Sequence, residues 1–189
     1  MTRPYRIQVV SVGVGKSQVI GAKPSGEEWS SAIHKEPVSS RSLWVDRNGL
    51  EGDTQVDRRV HGGDDKAVYA YPSEHLKAWA EEVGREITAA ELGVNLLVEG
   101  VTEETARIDD KWWWNGVRLI ITKPRQPCNT LRHHTGIQDI RLRMKNNGFC
   151  GWYLRVLQPG RGLTSGDISV TPGYGPTVAE VFAGKTFET

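Results

Sequence analysis

The chain has 189 residues, a formal net charge of +1, two cysteines, seven tryptophans and 21 glycines. One domain with a sizeable core is the default at this length, and near-neutral charge argues against a dedicated nucleic-acid binder. No apolar run approaches the roughly 18 residues needed to span a bilayer. The opening Met1-Thr2-Arg3-Pro4-Tyr5 lacks the apolar stretch of a signal peptide, so the expected location is the cytoplasm. In that reducing compartment Cys128 and Cys150 could pair, but two free thiols is the simpler reading.

Ile7 to Val12 reads as a strand leading into Gly13-Val14-Gly15-Lys16-Ser17. A phosphate loop needs a glycine five positions before Gly15, and Val10 stands there, so this is read as a glycine-rich turn. Residues 21–31, rich in Gly, Ser and Glu, are expected as an exposed loop. Residues 33–45 hold strand-like material broken at Pro37. From Asn48 to Asp65 the chain is too polar and glycine-rich for a regular element, and unstructured loops of that length are usually functional.

Ala67 to Tyr71 predicts a short strand. A helix follows Pro72, with Leu76, Trp79, Ala80 and Val83 on one face, Ser73 as N-cap and Gly84 as the stop. Residues 74–110 carry ten acids against three bases and read as a solvated acidic face. Asn95 to Val101 predicts another strand. Trp112-Trp113-Trp114, Asn115-Gly116 and Val117 to Thr122 form a hairpin signal, because Asn-Gly suits the type I′ turn. Residues 128–135 and 137–144 predict short helices, Trp152 to Leu157 and Gly166 to Thr171 strands, and the stretch after Pro172 an amphipathic turn or two. Many strands, few short helices and no βαβ repeat point to a mostly β, barrel-like α+β domain. That domain is expected to span 1–172, with 173–189 as a short tail.

The chemistry concentrates at Lys123-Pro124-Arg125-Gln126-Pro127-Cys128, where a strand ends. Residues 116–166 carry nine Lys/Arg against one acid, Asp139, so this segment is +8 and the remainder −7. Such a field biases a thiol toward thiolate, the form that binds soft metals, and recruits anions such as phosphates. The basic residues of this segment are expected to converge on one cleft with His61 and Lys66, away from the acidic face. A structural zinc site is not expected, because there is no CxxC and His133-His134 are adjacent.

Several stretches together resemble the MOSC domain, named after the C-terminal region of molybdenum-cofactor sulfurases, in its free-standing, YiiM-like branch. They are I-H-K-E-P-V (33–38), N-G-L-E-G-D-T-Q-V-D (48–57), H-G-G-D-D-K-A-V-Y-A-Y-P (61–72), G-V-N-L (93–96), P-R-Q-P-C (124–128), G-W-Y-L-R-V-L-Q-P-G (151–160) and G-D (166–167). The resemblance implies a barrel-like fold, a cleft for the molybdenum cofactor, and a cysteine that ligates the metal or carries sulfur. It maps that thiol, as catalytic residue and metal ligand, onto Cys128, and cofactor-binding roles onto His61, Lys66, Asn95, Arg125 and Arg155.

Residue chemistry agrees in part. Thiolate sulfur suits molybdenum, Arg and Lys suit a phosphate, and Gly62-Gly63 beside His61 lets backbone approach a ligand. Arg155, within an apolar strand, is either a cleft residue or one half of a structural ion pair, with the cleft preferred. Asp53 and Asp57 are expected to orient the bases, and Cys150 to be structural. Where the family usually shows a glutamate in G-V-N-L, this chain has Val94. The chain also ends at Thr189, short of the C-terminal helical extension of relatives. The resemblance implies a molybdenum-dependent oxidoreductase that reduces N-hydroxylated compounds such as hydroxylamino bases, with a small-molecule substrate and a separate electron-donor protein. The alternative is a sulfur carrier using a Cys128 persulfide, or a cofactor carrier without turnover. Pyridoxal phosphate is not expected.

Overall fold

The computed structural model describes residues 3–56 and 62–184. The chain opens with β1 (Tyr5–Val14), β2 (Gln18–Ala22), β3 (Glu28–Ser31), β4 (Glu36–Pro37), β5 (Ser42–Asp46) and β6 (Gly49–Leu50). One 3-10 turn (Asp64–Lys66) precedes β7 (Val68–Pro72), and helices α1 (Glu74–Val83) and α2 (Ala89–Leu92) lead to β8 (Leu96–Glu99). Then come β9 (Lys111–Trp114), β10 (Val117–Pro124), α3 (Asn129–Thr135), α4 (Ile140–Asn147), β11 (Trp152–Gln158), β12 (Gly160–Leu163), β13 (Gly166–Thr171) and α5 (Val178–Phe182).

Seven strands close into a barrel in the order β1, β8, β7, β11, β10, β9, β13 and back to β1. Every barrel pairing is antiparallel except β7 with β8, which are joined by a crossover through α1 and α2. Closure leaves these strands no free edge. The pleat explains the core: Val117, Leu119 and Ile121 of β10, Trp152, Leu154 and Val156 of β11, and Ile168 and Val170 of β13 alternate inward and are buried. β7 is buried along its whole length, with Trp79 of α1 against the outward Tyr71 and Arg125 over the outward Tyr69. There Trp79 Nε1 donates 2.6 Å to Tyr71 Oη, satisfying the polar end of a buried indole. Four buried tryptophans (79, 112, 114 and 152) anchor the core. Each removes about 200 Å² of surface from water, an upper-bound transfer gain of about 5 kcal/mol.

The mostly β barrel with five short helices is the architecture the sequence predicts. The Asn115-Gly116 turn has φ of 44° and 93°, both left-handed as a type I′ hairpin requires. Helix α1 ends at Gly84 with φ 73°.

Four expectations need correction. Residues 21–31 are no plain loop, because β2 and β3 pair across 18–22 and 28–31 as a hairpin. Within 48–65, Gly49 and Leu50 pair with β5, and the rest follows irregularly as far as Val56. Strand β12 and helix α2 are additional to the expected elements, although Thr88-x-x-Glu91 is the capping-box pattern that opens α2. The acidic stretch 74–110 is not uniformly solvated: Glu103 and Asp110 are 3% and 1% exposed. Glu103 accepts 2.6 Å bonds from Gly151 N–H and His75 Nε2, and Asp110 accepts from Arg107 and Gly173 N–H. Beyond Pro172, α5 buries Val178 in the core. No helix among the described residues is long and apolar enough to cross a membrane.

Candidate functional site

A cavity of about 710 Å³ opens between barrel strands β7 and β11 and the segments that leave the barrel around them. Its walls include Tyr69, Tyr153, Gly93, Asn95, Arg125 and Cys128 on the barrel side. The lining also includes Trp29 to Ile33, Lys35, residues 53–56 and Lys66.

Cys128 and Arg125 reach this cavity because β10 ends at Pro124 and the chain then turns outward. Pro124 and Pro127 fix φ across the linker, and Cys128 becomes the N-cap residue of α3. Its thiol is half-buried and free, whereas Cys150 is fully buried in the core. Burial drives the Cys150 thiol far up, with Glu103 adding to the effect, so Cys150 is an inert packing residue.

Arg125 is only 5% exposed. Its guanidinium lies 4.7 Å from the Tyr69 ring centroid and donates to Leu92 O at 3.2 Å and, at 3.5 Å, to Tyr69 Oη. No carboxylate pairs with it among the described residues. Burial opposes its charge, but Tyr69, Tyr153 and Cys128 around it outweigh that, and it stays protonated. A buried cation with donors left over, facing a cavity, has the chemistry to accept an anion.

The polar floor is built on Asp53. Its Oδ1 accepts from Lys35 Nζ at 2.5 Å and Gly15 N–H at 2.6 Å, and its Oδ2 accepts from Asn95 Nδ2 at 3.0 Å. Lys35 is 8% exposed. Desolvation pulls its pKa down, against the opposing pull of Asp53. Asn95 also donates to Gly13 O and accepts from Tyr69 N–H. Its Nδ2 serves Gly13 and Asp53 while its Oδ1 takes one bond from Tyr69, so it braces β1, β7 and Asp53 at the cavity wall. Gly15 is required here: a Cβ would sit 2.4 Å from Ala32 O and 2.5 Å from His34 O.

Lys66 faces the same cavity, 5.8 Å from the Tyr153 ring centroid, and its pKa is lowered by burial and by Lys123. His61 and Asp57 lie outside the described residues. Arg155 does not reach the cavity. Two residues along β11 from Tyr153, about 7 Å at strand rise, it has passed the rim. Its Nε donates to Asp65 Oδ1 at 2.7 Å and its NH2 nitrogen bonds the same oxygen. It lines a second, more open depression with Gly62, Gly63, Lys66 and Lys123, and Lys66 is common to both. Arg155 is thus ion-paired with Asp65 and lies outside the cavity lining. The other bases of 116–166 disperse as well: Arg118 covers Trp113, Arg141 binds Asn129, and Arg143 pairs with Asp139 and with Glu82 of the acidic stretch. Strand alternation and helix faces scatter them, and of that segment's bases Arg125 alone lines the cavity.

The sequence reading passed over Lys35, Tyr69, Tyr153 and Trp29 as cavity residues. Lys35 sits in I-H-K-E-P-V and could have been read there. Trp29 gave no signal, because the hairpin that carries it shows no burial alternation. Trp29 packs at a 36° tilt on His133, ring centroids 4.9 Å apart, and His133 Nε2 lies 2.6 Å from Ile20 O, so α3 holds the hairpin against the cavity.

Residues 57–171, well over half of the chain, match the family model of the MOSC domain. The chain belongs to the MOSC domain family. Among curated relatives it is 38% identical over 155 residues to Protein YiiM of Escherichia coli, covering 80% of this chain and 66% of that protein. It is 37% identical over 156 residues to the uncharacterized protein YflK of Bacillus subtilis, covering 82% and 69%. The chain thus spans about two thirds of these relatives. A protein of Gibberella moniliformis named Reductase matches at 29% identity, over 71% of this chain and 24% of that one. Among solved structures, YiiM from Geobacillus stearothermophilus superposes with a TM-score of 0.75 at 30% identity, covering 93% of this chain and 82% of that one. This MOSC domain is therefore YiiM-like in sequence and fold.

Proposed function

We propose that this MOSC protein binds the molybdenum cofactor in the 710 Å³ cavity and reduces N-hydroxylated compounds, hydroxylamino bases among them. The carrying observation is the buried Arg125, with no carboxylate partner among the described residues, in the same cavity as the Cys128 thiol. A phosphate-bearing pterin supplies the anion that Arg125 lacks, and the volume is in the range of small-molecule sites. The soft sulfur of Cys128 suits the metal. Arg125 and Lys66 would hold the anionic end, Lys35 with Asp53 would fix the floor, and Cys128 would ligate the metal. When bound, the group supplies a two-electron redox centre.

The reaction R–NHOH + 2 e⁻ + 2 H⁺ → R–NH₂ + H₂O needs protons near the departing hydroxyl. Burial pushes the Tyr153 phenol up, against the pull of Arg125, so its Oη keeps a proton at neutral pH and lines the cavity. Tyr153 is the chain's proton donor in this reading. Trp29 offers a flat face for a planar base at the rim. Electrons come from a separate donor protein.

Val94 favours a second reading. It is 2% exposed within the apolar core, where the family usually places a glutamate. A chain lacking that acid could carry sulfur on Cys128, or carry the cofactor, without turnover. The test is cofactor-loaded protein given a chemical reductant and a hydroxylamino base. Turnover lost in Cys128→Ser supports the reductase. Equal turnover in both removes Cys128 from the chemistry, and a Cys128 persulfide detected by mass with no turnover favours the carrier.

A further inference from the structure

His34 and His134 form a pair outside the cavity just described. His34 lies between the cavity residues Ile33 and Lys35 but is not itself part of the lining, and His134 is on α3, the helix that Cys128 caps. Their rings meet edge-on, with centroids 5.3 Å apart, and His34 Nδ1 lies 3.4 Å from His134 Nε2. That separation is long for a hydrogen bond between nitrogens. It matches the spacing of two ligands on one tetrahedral ion, because bonds of about 2.0–2.1 Å at the tetrahedral angle separate the nitrogens by about 3.3–3.4 Å.

The second observation is Glu36. Its Oε1 lies 3.1 Å from His34 Nε2. A carboxylate there keeps the proton on Nε2 and leaves Nδ1 as a lone-pair donor aimed at His134, the arrangement that orients metal-bound imidazoles. We infer that His34 Nδ1 and His134 Nε2 form a site for a borderline divalent ion such as zinc, with Glu36 as the orienting carboxylate. No group of three or more His, Cys, Asp or Glu side chains converges among the described residues, so water completes the coordination. Neighbouring Glu91 is committed to Arg85 and to the α2 cap, and His133 to Ile20 O and Trp29. Neither is a ligand.

The ion would tie the segment bearing Lys35 to the helix that begins after Cys128. It would thus cross-link two walls of the cofactor cavity without entering it. Two imidazoles and water make a moderate-affinity site, filled or emptied by zinc supply.

The test is zinc chloride titrated into Cys128→Ser protein against a chromophoric chelator, with thermal unfolding in parallel. The serine background removes the competing thiol and leaves the proposed ligands in place. One zinc per chain is expected, with a rise in Tm on zinc addition. His134→Ala and His34→Ala should each lose both, and the exposed Glu36→Gln, which keeps both ligands and the fold, should bind roughly tenfold more weakly. Unchanged zinc affinity in both histidine variants would overturn the site. So would absence of zinc binding in the parent at submillimolar metal, or loss of binding on His61→Ala with the pair intact. None of these readouts requires turnover or molybdenum, so failure here is distinguishable from failure of the reductase reading.

Discussion

Replacing Asp53 by alanine removes one carboxylate and three bonds together. Gly15 N–H at 2.6 Å, Lys35 Nζ at 2.5 Å and Asn95 Nδ2 at 3.0 Å all end on it. Lys35 is 8% exposed, so its ammonium is left buried without its counter-charge. Breaking a buried pair from one side costs about 3–5 kcal/mol. The cavity lets some water reach Lys35 and Asn95, which places the expected loss near the lower end, about 3 kcal/mol. With a urea slope of about 2 kcal/mol/M the unfolding midpoint should fall by about 1.5 M, read by tryptophan fluorescence. The pH dependence carries a sign. Lys35 already titrates below its unfolded value in the folded protein, so between the two values the unfolded chain binds more protons and stability rises with pH. Without Asp53 the folded value drops further, and the variant's deficit should shrink as pH climbs toward the lysine range. A midpoint within about 0.3 M of wild type would refute the claim that Asp53 organises the cavity floor.

Gly15→Ala should lower stability by about 1–3 kcal/mol or more, because the new methyl meets backbone oxygens of residues 32 and 34 that cannot rotate away; a neutral result in denaturation would contradict the packing. Tyr5→Phe should be neutral or stabilising at pH 7, since the Tyr5 hydroxyl is buried with no hydrogen-bond partner among the described residues. Burial and nearby Asp110 push that phenol up to about 12, so wild type should lose stability as pH rises from about 10 to 12 while the variant loses less over that window. Arg125→Ala should weaken cofactor retention by about 1.5–3 kcal/mol, roughly 10- to 150-fold, for a lost charge-assisted bond, as measured by pterin content after dialysis. Alkylation of the folded protein should label half-buried Cys128 and spare Cys150, which is 0% exposed; faster labelling of Cys150 would reverse that assignment.

The barrel was legible because its strands obey two local rules. Inward alternation marked β10, β11 and β13, and Asn115-Gly116 marked the β9–β10 hairpin. The β2–β3 hairpin was not legible: it packs on α3 through Trp29 and His133, a contact 104 positions apart in sequence with no periodic trace in either segment. The site was half legible. Cys128 and Arg125 stand out because a strand end, two prolines and a basic run coincide there. Charge counting then misled, since it treats residues 116–166 as one field, whereas alternation and helix faces hand Arg118, Arg143 and Arg155 to separate partners. Asn95 lines the cavity and also bonds Gly13, Tyr69 and Asp53, and G-V-N-L shows neither. A buried amide reads the same in sequence whether it faces a ligand, braces two strands and a loop, or does both. Lys35 was legible only through its place in I-H-K-E-P-V, because nothing local marks its burial against Asp53, 18 positions on.

The central claim is that Cys128 and the buried Arg125 share one cofactor site, and metal content tests it most directly. Wild type, Cys128→Ser and Arg125→Ala would be produced in a host that makes the molybdenum cofactor, purified alike and assayed for molybdenum and pterin. The account predicts stoichiometric molybdenum in wild type. It predicts loss of metal in Cys128→Ser with the fold retained, and loss of metal and pterin together in Arg125→Ala. Molybdenum absent from well-folded wild type, or present equally in all three proteins, would contradict it.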